Sequence, residues 1–264
     1  MSEPAPTPAR PGGLKARIIP LLLLRDGRMV KGKQFDNFRD VGDPVSAARI
    51  YNAQNADELV FIDIDASHEK RGTLTHIIQE VSRECFMPLT VGGGVSSIQD
   101  VRELLNSGAD KVLINSAAVE NPTFITEASR IFGSQCIVLG IDVKREGDRF
   151  AIYTHSGRVR TDLDLHDWVS GARALGAGEI LINSIDCDGM MQGYDNELLN
   201  FVVPLTDLPV IACGGAGNFM HLVEAIQELK VHAVACASLF HFGDNNPVRA
   251  RSTLKNKGIA VKNV

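Results

Sequence analysis

Eight short apolar runs punctuate the chain, at residues 18–24, 59–64, 87–91, 111–114, 136–141, 179–183, 208–212 and 233–236. Each is continuously apolar and not alternating, the pattern of parallel strands buried on both faces. The stretches between them are long enough for helices and carry helical spacing. Val101, Leu104 and Leu105, behind a candidate N-cap at Ser96 or Ser97, are one example. Eight strand–helix units predict an α/β protein, a single (β/α)8 barrel over residues 17–264. An open doubly wound sheet shares the alternation but usually begins with a Gly-rich first turn, and none follows Leu24.

An internal repeat supports the barrel. The octapeptide Pro88 to Val95 lines up with Pro209 to Ala216, an offset of 121 residues, and at the same offset Phe61 to Asp65 falls on Ile182 to Asp186. Two (β/α)4 halves, about 17–134 and 135–264, are therefore expected, with similar sites on opposite sides of one mouth.

Composition narrows the field. At 44% hydrophobic and 22% charged residues the bulk of the chain can fold, and a net charge of −5 gives no basic footprint for nucleic acid. Five scattered cysteines without CxxC spacing argue against a disulfide framework or a zinc site, and point to a reducing cytoplasm. The run at 18–24 imitates a targeting signal. It is followed by Arg25 to Arg28 with no small-residue cleavage site, and it falls far short of the roughly 20 residues that span a bilayer. Residues 1–16, rich in Pro and Ala, read as a disordered leader.

In such a barrel, chemistry sits past the C-terminal ends of the strands. Gly93-Gly94 and Gly214-Gly215 lie there, either as tight turns or, because they occur twice, as backbone cradles for phosphate. Asn115-Ser116 and Ala237-Ser238 complete the two cradles, so the implied ligand carries a phosphate at each end. Three acids also end strands: Asp63, Asp142 and Asp188. Asp142 is the candidate general acid or base; as a solvated loop carboxylate it would simply neighbour Lys144. His68, His155 and His241 lack ligand spacing and read as structural or surface residues, so no metal is expected.

Together these motifs resemble the cyclase subunit family of imidazole glycerol phosphate synthase. The resemblance runs from Arg17 to the C-terminus and includes Asp26-Gly27-Arg28, Ala66-Ser67-His68-Glu69, Thr90 to Gly94, Phe132 to Gln135, Gly214 to Gly217 and Phe240-His241-Phe242. It implies a duplicated barrel in a heterodimer with a glutaminase. The glutaminase's ammonia would pass through the barrel to a bisphosphorylated formimino ribonucleotide, in a lyase reaction of histidine synthesis that uses no metal or organic cofactor. The family's substrate positions fall on Lys31, Gly94, Asn115, Gly189, Gly215 and Ser238, with Gly93, Ser116, Asn183, Asp188 and Gly214 completing the expected binding set. Its ammonia gate falls on Arg17, Glu58, Lys111 and Glu179.

The departure is catalytic. The family uses two aspartates, and the resemblance places one on Asp142 but the other on Leu23. Leu21, Asp65, Asn183, Cys187 and Met190 also differ from the usual residues. This combination implies a divergent paralogue of the type that supplies ammonia for acetamidino (amidine) modification of nucleotide-activated sugars in surface polysaccharide. The alternative is an authentic histidine-pathway cyclase, with Asp65 near enough to stand in for the missing carboxylate. A sister sugar-phosphate isomerase also needs a strand-one carboxylate, and a non-catalytic binding module needs none.

Overall fold

The structure is a computed structural model that describes residues 15–69, 73 and 75–263, the side chains of residues 67 and 68 excepted. Most of the expected leader, residues 1–14, and the side chain of His68 thus lie outside the described residues. Ala16, assigned to the leader from sequence, is buried: it bridges Val261, and its N–H donates to the Ala260 carbonyl at 2.8 Å.

Twelve strands are present among the described residues: β1 (Arg17–Arg25), β2 (Arg28–Lys33), β3 (Asp36–Gly42), β4 (Leu59–Asp63), β5 (Leu89–Gly92) and β6 (Lys111–Ile114), then β7 (Ile137–Glu146), β8 (Arg149–Thr154), β9 (Val159–Arg160), β10 (Glu179–Ser184), β11 (Val210–Cys213) and β12 (Ala233–Cys236). Eight of them, in the order β1-β4-β5-β6-β7-β10-β11-β12, pair in parallel, and β12 returns to β1 to close the barrel. These are the eight runs read from sequence. Helices pack around them, and their starts follow local chemistry. Ser97 accepts the Asp100 N–H while the Asp100 carboxylate accepts the Ser97 N–H, a reciprocal cap on the helix Ile98–Asn106.

The apolar residues form two cores. Ile18, Leu22, Phe61, Val91 and Ile137 face outward under the helices. Ile19, Val60, Val138, Leu181, Ile211 and Ala233 fill the barrel axis. This alternation along buried strands explains why the runs read as continuously apolar.

The remaining strands extend two barrel strands into antiparallel hairpins. Arg25 pairs with Arg28 across Asp26-Gly27, both at positive φ (48° and 76°), as a two-residue hairpin requires. Glu146 likewise pairs with Arg149 across Gly147-Asp148, where only Gly147 has a positive φ (61°). The two hairpins follow the first and fifth barrel strands, so they obey the duplication. They also bring Lys31, Phe35 and Ser156 to the barrel mouth.

Candidate active site at the barrel mouth

A cavity opens at the C-terminal ends of the barrel strands. Lys31, Gly93, Gly94, Asn115, Ser116 and Asp142 all line it. So do Asn183, Asp188, Gly189, Gly214, Gly215 and Ser238. Sequence reasoning missed the hairpin residues Phe35, Phe38 and Ser156; the Asp26-Gly27 turn was the signal for the first two and the Gly147-Asp148 turn the signal for the third.

Asp142 occupies the centre of the polar wall. It is fixed by two amides: Asn115 Nδ2 donates to Oδ2 at 2.7 Å, and Asn183 Nδ2 donates to Oδ1 at 3.3 Å. Burial raises its carboxyl from 3.8 to about 7. The Asp188 charge adds to the rise, and the two amide hydrogen bonds oppose it. A carboxyl poised near neutrality can both give and take a proton. Beside it, Lys31 Nζ sits 2.6 Å from Asp188 Oδ1, a charge pair out of solvent.

The duplication can be checked residue by residue. Asp142 pairs with Asn183 between β7 and β10, and Leu23 pairs with Ile62 between β1 and β4. Ile62 and Asn183 are 121 residues apart, so Leu23 holds the place in the first half that Asp142 holds in the second. Around Leu23 the cavity is lined by Leu21, Phe38, Ile62 and Ile64, with the buried acid Asp63 between the last two. The place that carries a carboxyl in the second half, at Asp142, thus carries an aliphatic side chain in the first, at Leu23.

Asp65 does not lie on the cavity. Its carboxylate pairs with Arg25 at 2.6 Å and with Arg158 at 3.5 Å, and these two guanidiniums hold it below the usual carboxylate range against the opposing effect of burial. A carboxylate so engaged is a poor replacement for the missing one. His155 and His241 are both tied to the scaffold. The His155 backbone N–H donates to Ser116 Oγ at 3.0 Å, and His241 Nε2 donates to the Leu21 carbonyl at 3.2 Å.

The glycine pairs occupy equivalent places. Gly93 and Gly214 have φ of 99° and 86°, and a Cβ at either would fall 2.1 Å from the Asp63 carbonyl oxygen or 2.7 Å from that of Ser184. Asp63 and Ser184 are again 121 residues apart. Several buried polar atoms of the cavity lack a protein partner: Asn115 Oδ1, Asn183 Oδ1, Asp188 Oδ2 and Ser238 Oγ. Such atoms suit a polar ligand, because each is costly to bury unpaired.

At the opposite, N-terminal end of the barrel, the four residues expected as a gate form one ring. Arg17 pairs with Glu58 at 2.7 Å and with Glu179, and Lys111 Nζ lies 2.9 Å from each of the same two carboxylates. Thr90 Oγ1 donates to the second oxygen of Glu58 at 2.6 Å. The apolar axis separates this ring from the mouth. Among the described residues, no helix is long and apolar enough to cross a membrane. A family model described as "Histidine biosynthesis protein" matches residues 17–246 of the chain.

Proposed function

Because the chain belongs to the histidine biosynthesis protein family, we propose that it is a barrel of the cyclase type that receives ammonia at the ionic ring and delivers it at the mouth, and that it is a divergent member whose ammonia serves another acceptor. A glutaminase bound over Arg17, Glu58, Lys111 and Glu179 supplies the ammonia, and Asp142 handles its proton where it emerges beside a phosphorylated small molecule. The acceptor in this reading is a nucleotide-activated sugar being converted to its amidine by a separate amidotransferase.

The observation that carries the reading is Leu23. It stands in register with Asp142, yet it offers no proton, and the side chains around it are apolar. Loss of one acid–base group costs about 10²–10⁴ in rate, roughly 3–5 kcal/mol of barrier. A second reading, the histidine-pathway cyclase itself, draws on the other wall, where Asp142, raised to about 7, lies among the full expected binding set.

The two readings separate in one assay. Purified protein given ammonia and the formimino bisphosphate should turn over at least a hundredfold below a typical enzyme rate of about 10 s⁻¹, and it should fail to complement a histidine auxotroph lacking the cyclase. Leu23→Asp should recover less than tenfold, since the new carboxylate would enter an apolar wall with no partner. Wild-type turnover near 10 s⁻¹ would return the chain to histidine synthesis.

A further inference from the structure

Asp142 has to be held in two protonation states, because burial places its carboxyl at about 7 and both states are populated near neutrality. The two states need different partners. An ionised carboxylate only accepts hydrogen bonds, whereas the acid has one oxygen that donates and one that still accepts. A fixed N–H donor on each oxygen suits the first state and opposes the second.

The two amides on Asp142 can serve both. Asn115, directly after β6, donates to Oδ2 at 2.7 Å, and Asn183, in β10, donates to Oδ1 at 3.3 Å. The first distance is short enough to pin Oδ2 as an acceptor, and the second is at the long edge of a hydrogen bond. The oxygen end of each amide is spare: Asn115 Oδ1 and Asn183 Oδ1 are buried and have no partner. A half-turn of an amide puts its oxygen where its N–H was, so a spare Oδ1 is the acceptor that a protonated Asp142 requires. Turning Asn115 would break the 2.7 Å bond. Turning Asn183 gives up only the long one.

Asn183 is placed for this role. It stands in register with Asp142 across the β7–β10 pairing and is only 8% exposed. Its Oδ1 lies against Gly214, where a Cβ would come within 2.8 Å of it. The other titratable groups of this wall are engaged or distant. Asp188, whose charge favours the proton on Asp142, is paired with Lys31 of β2 at 2.6 Å. Burial pushes the Cys213 thiol of β11 up, so it stays neutral. Asp63 ends β4, with β5 and β6 between it and β7.

We infer that the proton of Asp142 resides on Oδ1, and that Asn183 is a positioning residue whose amide turns its N–H to the carboxylate and its oxygen to the acid. Asn115 keeps Oδ2 as an acceptor in both states. This rests on the reading of Asp142 as the group that handles the proton of ammonia, and it assigns that work to one of its two oxygens.

NMR of the full chain from about pH 5 to about pH 9, either side of the ordinary range for such a raised carboxyl, tests this through the Asp142 carboxyl carbon and the two side-chain amides. The Asn183 amide signals should move with the same midpoint as the Asp142 carbon, about 7, while those of Asn115 stay in place. Asn183→Leu removes a partner from both states and should move the Asp142 midpoint by less than about half a pH unit. Asn115→Leu removes a donor that favours the ionised state and should raise the midpoint by about one pH unit or more. Asn183 signals that stay fixed while the Asp142 carbon titrates, or Asn115 signals that move in their place, would overturn the inference and leave Asp142 as the acid–base group. If the Asp142 carbon does not titrate anywhere in this range, the inference and that reading fall together.

Discussion

Two buried titratable side chains, Asp142 in the mouth and His241 outside it, pull the stability of the molecule in opposite directions with pH. Asp142, raised from 3.8 to about 7 by burial, keeps its proton when folded. Its contribution is complete below about pH 4 and is lost as pH rises through about 7, because the unfolded chain ionises first. Its full span is about 4 kcal/mol. His241, lowered from 6.5 to about 4 by burial and by Lys31, stays neutral when folded. Its contribution is present above about 6.5 and is lost as pH falls through about 4, over about 3 kcal/mol. In the wild type the two slopes largely cancel between these limits. Urea unfolding from pH 4 to 7 should therefore show that Asp142→Asn gains stability as pH rises, relative to wild type, and that His241→Gln gains it as pH falls. Parallel pH profiles for all three proteins would show that neither group titrates as its surroundings dictate. Asp142 was legible in sequence because a strand-end acid is a local signal. The loss of function in Asp65 was not, since its engagement by Arg25 and Arg158 depends on residues 40 and 93 positions away.

At the level of elements, the eight barrel strands were legible because burial on both faces makes each an uninterrupted apolar run bounded by polar loops. The two hairpins were not. β2 and β8 are half polar and β3 is largely exposed, so hydrophobicity alone does not mark them, and the short-range signals are the two-residue turns Asp26-Gly27 and Gly147-Asp148. The glycine cradles were legible as a repeated motif, but their tolerance is set by the strand opposite. A methyl group on Gly93 would sit 2.1 Å from the Asp63 carbonyl oxygen and 2.8 Å from its carbon, at a φ of 99°. On Gly214 it would meet the Ser184 oxygen at 2.7 Å. Left-handed strain adds roughly 1–2 kcal/mol at either place. Gly93→Ala should thus lower unfolding free energy by more than about 2 kcal/mol, and by clearly more than Gly214→Ala, with the denaturation midpoints as the measure. Equal costs would mean that the two halves relax alike despite their different neighbours.

Across the whole molecule, a charged ring and a polar mouth face each other along an apolar axis, and the ring is the part that a single substitution can reverse. Arg17 and Lys111 each pair with both Glu58 and Glu179, and Glu58 is only 2% exposed. Two cations against two carboxylates make the ring neutral, so a small neutral molecule meets no net charge at its entrance. Lys111→Glu converts it to three carboxylates around one guanidinium. Like charges at this spacing push apart, and the remaining Arg17 can no longer bridge them all. The mouth, separated from the ring by Ile19, Val60, Val138 and Leu181, keeps its own geometry. In a complex with the proposed glutaminase, Lys111→Glu should therefore cut glutamine-driven delivery of nitrogen at least tenfold and release the ammonia to solvent. Binding of phosphate ligands at the mouth should stay within twofold of wild type. Lys111→Met, which removes one charge but adds none, should fall between the two. If glutamine-driven delivery survives the charge reversal undiminished, ammonia does not enter through the ring, and the four matched charges only hold the bottom of the barrel together.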